Sequence, residues 1–217
     1  MPQIFRPSAN SIARSSVVGA LLVIVGALAG IAIFQRSSYA TGVGVPVAQP
    51  VMFSHKHHVA DDGIDCRYCH TSVEDGAFAG IPSTDVCMNC HREIWNESGM
   101  LEPVRESYRT GQPIVWNRVH DLPDFVYFDH SIHLAKGVGC ESCHGRVDRM
   151  PLTWKVNTLQ MEWCLACHRE PERYLRPRSE ITAMGWKPPG GDQLALGRRL
   201  VRQYHVASRT DCTTCHR

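Results

Sequence analysis

Cys66-Arg67-Tyr68-Cys69-His70, preceded by Phe53-Ser54-His55-Lys56-His57-His58, is the stretch from which the fold of this chain is read. Two thiols three residues apart can clamp one edge of a porphyrin through thioethers, and the next side chain, an imidazole, then falls on the iron axis. C-x-x-C-H is accordingly the attachment motif of c-type haem. It recurs as Cys87-Met88-Asn89-Cys90-His91, Cys140-Glu141-Ser142-Cys143-His144, Cys164-Leu165-Ala166-Cys167-His168 and Cys212-Thr213-Thr214-Cys215-His216, and these five motifs take up all ten cysteines. Zinc ribbons use C-x-x-C in pairs and would leave one half-site over, and neither zinc nor a disulfide needs the histidine that follows. Five such histidines by chance have a probability of about five in ten million at this histidine content. Five covalently bound haems c are expected, with His70, His91, His144, His168 and His216 as proximal iron ligands.

The motifs are unevenly spaced: successive first cysteines lie 21, 53, 24 and 48 residues apart, which makes two close pairs and a single. Phe128-Asp129-His130-Ser131-Ile132-His133 stands before the second pair as Phe53 to His58 stands before the first, both reading F-x-H-x-x-H. Beyond the motifs, His70-Thr71-Ser72-Val73-Glu74 parallels His144-Gly145-Arg146-Val147-Asp148, and His91-Arg92-Glu93 parallels His168-Arg169-Glu170. The chain therefore reads as a duplicated two-haem module followed by a fifth haem segment. H-x-x-H places two imidazoles on one helical face, able to reach two irons or one zinc. Five irons need five further axial ligands, so His55, His58, His130 and His133 are read as distal ligands. His57 is out of phase with the repeat and reads as a propionate or solvent partner. For the fifth iron the candidate is His120, followed by His205. A methionine ligand would come from Met150, ahead of Met161 and Met184, although methionine is more often core filler.

Composition narrows the class. The formal charge of +2, from 23 Lys+Arg against 21 Asp+Glu, lacks the concentrated basic face of a nucleic-acid binder. A hydrophobic content of 43% excludes a disordered tail. Val17 to Phe34 carries no charge and no proline, long enough as a helix to cross the roughly 30 Å of a bilayer interior. Ser38-Tyr39-Ala40 would suit a signal-peptide cleavage, but the apolar run exceeds the usual 7–15 residues of a signal core. A retained single-pass anchor in the cytoplasmic membrane is expected. Arginine counting orients it weakly (Arg6 and Arg14 before, Arg36 after). Haem attachment happens outside that membrane, which puts the haem domain on the periplasmic side.

The expected fold class is mainly α and irregular: short helices around each motif, long loops, stacked haems in place of an ordinary core, and almost no sheet. The organisation reads as an anchor over 1–40, a first two-haem module with its linker over 41–127, a second over 128–190 and a fifth-haem segment over 191–217. Thr41 to Pro50 reads as a loop leaving the membrane, and Lys187-Pro188-Pro189-Gly190-Gly191 as a break. Leu196, Leu200, Val201 and Tyr204 recur at helical spacing and predict a helix before the last motif. Its Arg198, Arg199 and Arg202 read as a solvated face, with propionate binding or docking as the alternative.

The F-x-H-x-x-H and C-x-x-C-H module resembles the class III multihaem cytochromes. More narrowly, the chain resembles the pentahaem cytochrome c subunits of alternative complex III. The residues that carry this are the N-terminal apolar segment, Trp116 to Phe128, Met161-Glu162-Trp163-Cys164 and the terminal Cys212 to Arg217. The resemblance implies an electron-transfer subunit of a membrane-bound quinol:electron-acceptor oxidoreductase that passes electrons to a periplasmic carrier. It further implies iron–sulfur and quinol-oxidising integral membrane subunits and a mono-haem cytochrome c as partners, with the quinol site outside this chain. An iron with two protein ligands has no position for substrate and can only exchange electrons. Two other readings stay open: a multihaem reductase with one five-coordinate haem, and a free-standing anchored quinol dehydrogenase.

Overall fold

The computed structural model describes residues 4–216 and divides into two compact units after Val43. In the first, α1 (Ser8–Arg36) contains the whole Val17–Phe34 run, has no acidic residue in its first turn and buries none of its side chains. Its 29 residues extend about 43 Å at the α-helical rise, and it is long and apolar enough to cross a membrane. Arg36 lies in the last turn, where a cation suits the helix dipole. Ser37 is extended and ends the helix, then caps the short α2 (Ser38–Thr41) by accepting from the Ala40 N–H.

The second unit consists of short helices set in loops. They are α3 (Cys66–Cys69), α4 (Thr84–His91), α5 (Glu102–Thr110), α6 (His130–Ala135), α7 (Cys140–His144), α8 (Met161–Arg169), α9 (Gln193–Gln203) and α10 (Cys212–Cys215). A π-helical turn covers Lys56–Asp61. Among the described residues strand pairing is confined to two isolated bridges, Val126 with His216 and Val138 with Leu175. Every C-x-x-C pair sits on a helix, because one turn brings the first and fourth side chains to the same face. Asp65 and Asp129 cap α3 and α6 by accepting the backbone N–H two residues on, at 2.9 and 2.8 Å.

Apolar burial is split among three small clusters. Val51, Met88, Leu101 and Val104 pack α4 against α5. Val73, Leu134 and Ile181 form a second group. Val138, Leu175, Leu200 and Tyr204 form the third, with Leu196 and Val201 packed against it, so α9 buries the face that its spacing predicts. Arg198, Arg199 and Arg202 lie exposed on the other side.

The two repeats interlock. The Lys56 N–H donates to the Met150 carbonyl at 3.1 Å, and His55 Nδ1 lies 2.9 Å from Thr153 Oγ1. In return, Ser131 and His130 N–H groups donate to the carbonyls of Gly76 and Ala77. Each histidine-bearing turn is thus held by a loop of the other module. The segment before Pro50 departs from the free loop read in the sequence. The Gly44 and Val47 N–H groups donate to Lys155 and Thr153 carbonyls at 2.8 and 3.2 Å, and Gln49 hydrogen-bonds the Asn117 main chain in both directions. It is a strap whose backbone donors are satisfied by a distant loop.

Gly197 is where α9 meets the turn at Pro171–Arg173. A Cβ there would lie 1.8 Å from the Glu172 carbonyl oxygen, a main-chain atom that cannot swing aside. Gly197→Ala is expected to cost about 1–3 kcal/mol as overpacking and to lower the midpoint of a thermal melt followed by circular dichroism. Gly99→Ala, which meets nothing within 4 Å, should leave that midpoint in place.

Candidate functional site

Four histidine pairs organise the second unit. His55 faces His70 with ring centroids 6.5 Å apart and planes 10° from parallel, and His130 faces His144 at 6.3 Å and 9°. His58 faces His91 at 6.2 Å and 68°, and His133 faces His168 at 6.1 Å and 66°. Each pair sets one histidine of an F-x-H-x-x-H stretch against the histidine of one C-x-x-C-H motif. The repeat found in the sequence recurs here to within a few tenths of an ångström and a few degrees.

The phenylalanine of each stretch positions both of its histidines, a role that the sequence reading did not assign. Phe53 meets His55 edge-on at 4.9 Å and stacks on His58 at 4.4 Å; Phe128 meets His130 edge-on at 4.8 Å and stacks on His133 at 4.5 Å. The available signal was the invariance of the first position between the two copies. One copy winds as a π-turn and the other as an α-helix, and the ring geometry is the same in both.

Hydrogen bonds set the tautomers. A carbonyl oxygen can only accept, so a ring nitrogen bonded to one must carry the proton. His58 Nδ1 donates to Ser54 O at 2.9 Å, His70 to Gly80 O at 2.6 Å, His91 to Ile94 O at 3.1 Å, His130 to Ala77 O at 2.7 Å and His133 to Asp129 O at 2.6 Å. His216 Nδ1 donates to Phe125 O at 3.2 Å. In the neutral ring Nε2 is then a bare lone pair in all six, the arrangement by which proteins orient metal-ligating imidazoles. Burial favours that neutral form. It lowers His144 to about 3 and His55 to about 4, with neighbouring imidazoles adding to the effect, and it lowers His133.

The remaining candidates lie elsewhere. His120 packs edge-on against His144 at 4.3 Å, too close for a metal to lie between the rings. Its Nε2 is buried without a hydrogen-bond partner, and desolvation lowers the ring to about 4. The sequence placed His120 at the fifth iron, and the structure sets it beside the third motif. His205 is exposed, with a left-handed φ of 50°. Met150 is fully buried, Met161 is exposed, and Met184 lines a hollow with Asp65 and Cys66. His57 is exposed and pairs with Asp61 and Asp62 at 3.8 and 3.5 Å. None of the ten cysteines is paired in a disulfide, and among the described residues no three of His, Cys, Asp or Glu converge on one point as a metal-binding cluster. Burial raises the thiols of Cys143 and Cys167 to about 12 and 11.

Comparison with known proteins agrees with this geometry. Residues 126–217 match the family described as cytochrome c7 and related cytochrome c. Over those residues the chain is similar to multihaem cytochrome c proteins. The chain is also similar to the multiheme cytochrome c subunit of a menaquinone reductase from Nitratidesulfovibrio vulgaris, at 36% identity over 121 residues, which cover 55% of this chain and 51% of that protein. The chain spans about half the length of that curated relative. Haem fits the residues found here. An imidazole nitrogen sits about 2 Å from a metal it binds, so two rings on opposite sides of one ion have centroids about 6 Å apart, and the four pairs lie at 6.1–6.5 Å.

Proposed function

We propose that this chain is the electron-transfer subunit of a membrane-bound quinone oxidoreductase of the alternative complex III type, holding five covalent haems c and handing electrons to a periplasmic carrier. The observation that carries this reading is the set of four opposed histidine pairs, one at each of the first four motifs. Each motif would supply two thioether sulfurs and a proximal imidazole: Cys66, Cys69 and His70; Cys87, Cys90 and His91; Cys140, Cys143 and His144; Cys164, Cys167 and His168; Cys212, Cys215 and His216. His55, His58, His130 and His133 would hold the opposite faces of the first four groups, within modules spanning 41–127 and 128–190, and the last haem belongs to 191–217. Bound haem supplies one-electron exchange between ferric and ferrous iron.

The chain's own residues do the rest. Phe53 and Phe128 hold two imidazoles each in fixed planes, and the carbonyls on Nδ1 keep Nε2 free for iron. With a histidine held on each side, these four sites would admit no substrate, which argues against a multihaem reductase. The fifth motif is arranged differently: the ring beside His216 is that of Phe125, and His120 packs against His144 of the third motif instead. The apolar α1 supports a single-pass membrane anchor, with the haem domain on the periplasmic side where thioether attachment occurs. Support for a quinone-linked complex comes from the menaquinone reductase subunit, whose name places it with other subunits. Iron–sulfur and quinol-oxidising membrane subunits and a mono-haem cytochrome c are the partners proposed here.

Purification in mild detergent tests the reading. The chain should co-migrate with quinol-oxidising subunits, give five porphyrins per chain by pyridine haemochrome, and oxidise no quinol analogue on its own. A lone chain with that activity would make it a free-standing quinol dehydrogenase. Low-temperature EPR of the ferric protein should contain two classes of low-spin signal. The near-parallel pairs of the first and third motifs should give two rhombic species, and the crossed pairs of the second and fourth two strongly anisotropic ones. His58→Ala should keep all five haems attached and convert one to high spin, whereas His205→Ala and Met150→Ala should leave the spin states unchanged.

A further inference from the structure

Resting on the reading that each motif carries a haem, we infer that the five sites stand in single file in the order second, first, third, fourth, fifth, so that the second and fifth motifs form the two ends. The order follows from which motifs touch. Within each module, one turn carries the distal candidates of two sites, His55 with His58 and His130 with His133. This makes the first and second sites neighbours, and likewise the third and fourth. Asn89 Nδ2 donates to the Tyr68 hydroxyl at 3.3 Å, joining residues that lie between the cysteines of the second and first motifs. Cys69 lies near both Cys87 and Cys90, and Cys143 near Cys164 and Cys167.

The modules join through their first members. The side chains of Cys66 and Cys140 lie next to each other. A two-residue segment fastens both motifs: Thr182 Oγ1 donates to Asp65 Oδ2 at 3.0 Å, and the Cys140 N–H donates to the Ile181 carbonyl at 2.9 Å. His144 interacts with His70 and His55. The fifth motif attaches to the fourth site. The Tyr127 N–H donates to the Cys215 carbonyl at 2.8 Å, Val126 bridges to His216, and the adjoining Phe128 stacks on His133. Cys164 lies near Cys215.

Spatial order therefore differs from sequence order. The duplicated modules meet back to back, the first module is entered through its second motif, and the third site lies at the centre of the file. One electron leaves each site as it enters the next, with no bond made or broken. An electron crossing from end to end has to pass the third site.

Single-ligand variants of the purified haem protein read out adjacency. A methionine ligand raises the potential of its own haem, and the changed charge then shifts the haem-methyl NMR resonances of whichever neighbours titrate beside it. His58→Met should perturb the first site alone, and His133→Met the third and the fifth. A response of the third site to His58→Met, or of the first to His133→Met with the fifth unaffected, would overturn the order. Iron positions in an anomalous-scattering map of the unaltered protein decide the same point without substitution, and an iron of the first motif lying away from that of the third sinks it. A haemochrome count below five would refute the haem reading itself, whereas five haems in another sequence of contacts would refute only the order.

Discussion

The constraint on which the rest of this structure depends is that one turn of chain must present two imidazoles to two different motifs at once. H-x-x-H meets it by pitch alone, and the phenylalanine two residues ahead fixes the planes, edge-on to one ring and stacked on the other. The constraint ties the placement of every motif in a module to that of one short turn. It also explains why the second unit gets by with three small apolar clusters. The position of each motif helix is set by what its histidine faces, and large helix–helix interfaces have little left to specify.

The interlocking of the modules extends this. His55 is held by Thr153 from the second module, and His130 by Ala77 from the first. Neither turn has its geometry completed by its own module. The strap from Gly44 to Gln49 adds to this closure by hydrogen-bonding to Lys155, Thr153 and Asn117. Around the third motif the packing is tight: Arg176 is buried, crowds Gly139 and lies over Trp186 at 5.3 Å.

Much of the fold class was legible in the sequence, since it is carried by side chains at fixed local spacing. The five motifs, the two F-x-H-x-x-H stretches, the apolar N-terminal helix and the buried face of α9 are all short-range patterns. What stayed illegible is long-range and made by the main chain. Nothing in the letters Ala77, Gly80 or Phe125 announces that their carbonyls receive an imidazole proton. The linker became a strap for the same reason, because its partners are main-chain groups of Lys155, Thr153 and Asn117, far along the chain. His120 shows the limit of counting: an inventory of spare histidines pointed it at the last motif, and packing sets its ring against His144.

The carbonyl acceptors have an evolutionary corollary. Side chains drift under mutation, but a peptide oxygen is present whatever residue occupies the position. The tilt and protonation of His58, His70, His91, His130, His133 and His216 are therefore encoded in the path of the chain and persist while the flanking letters change. His55 differs, since its Nδ1 meets the Thr153 hydroxyl. Selection retuning one centre while sparing its neighbours has its simplest handle there.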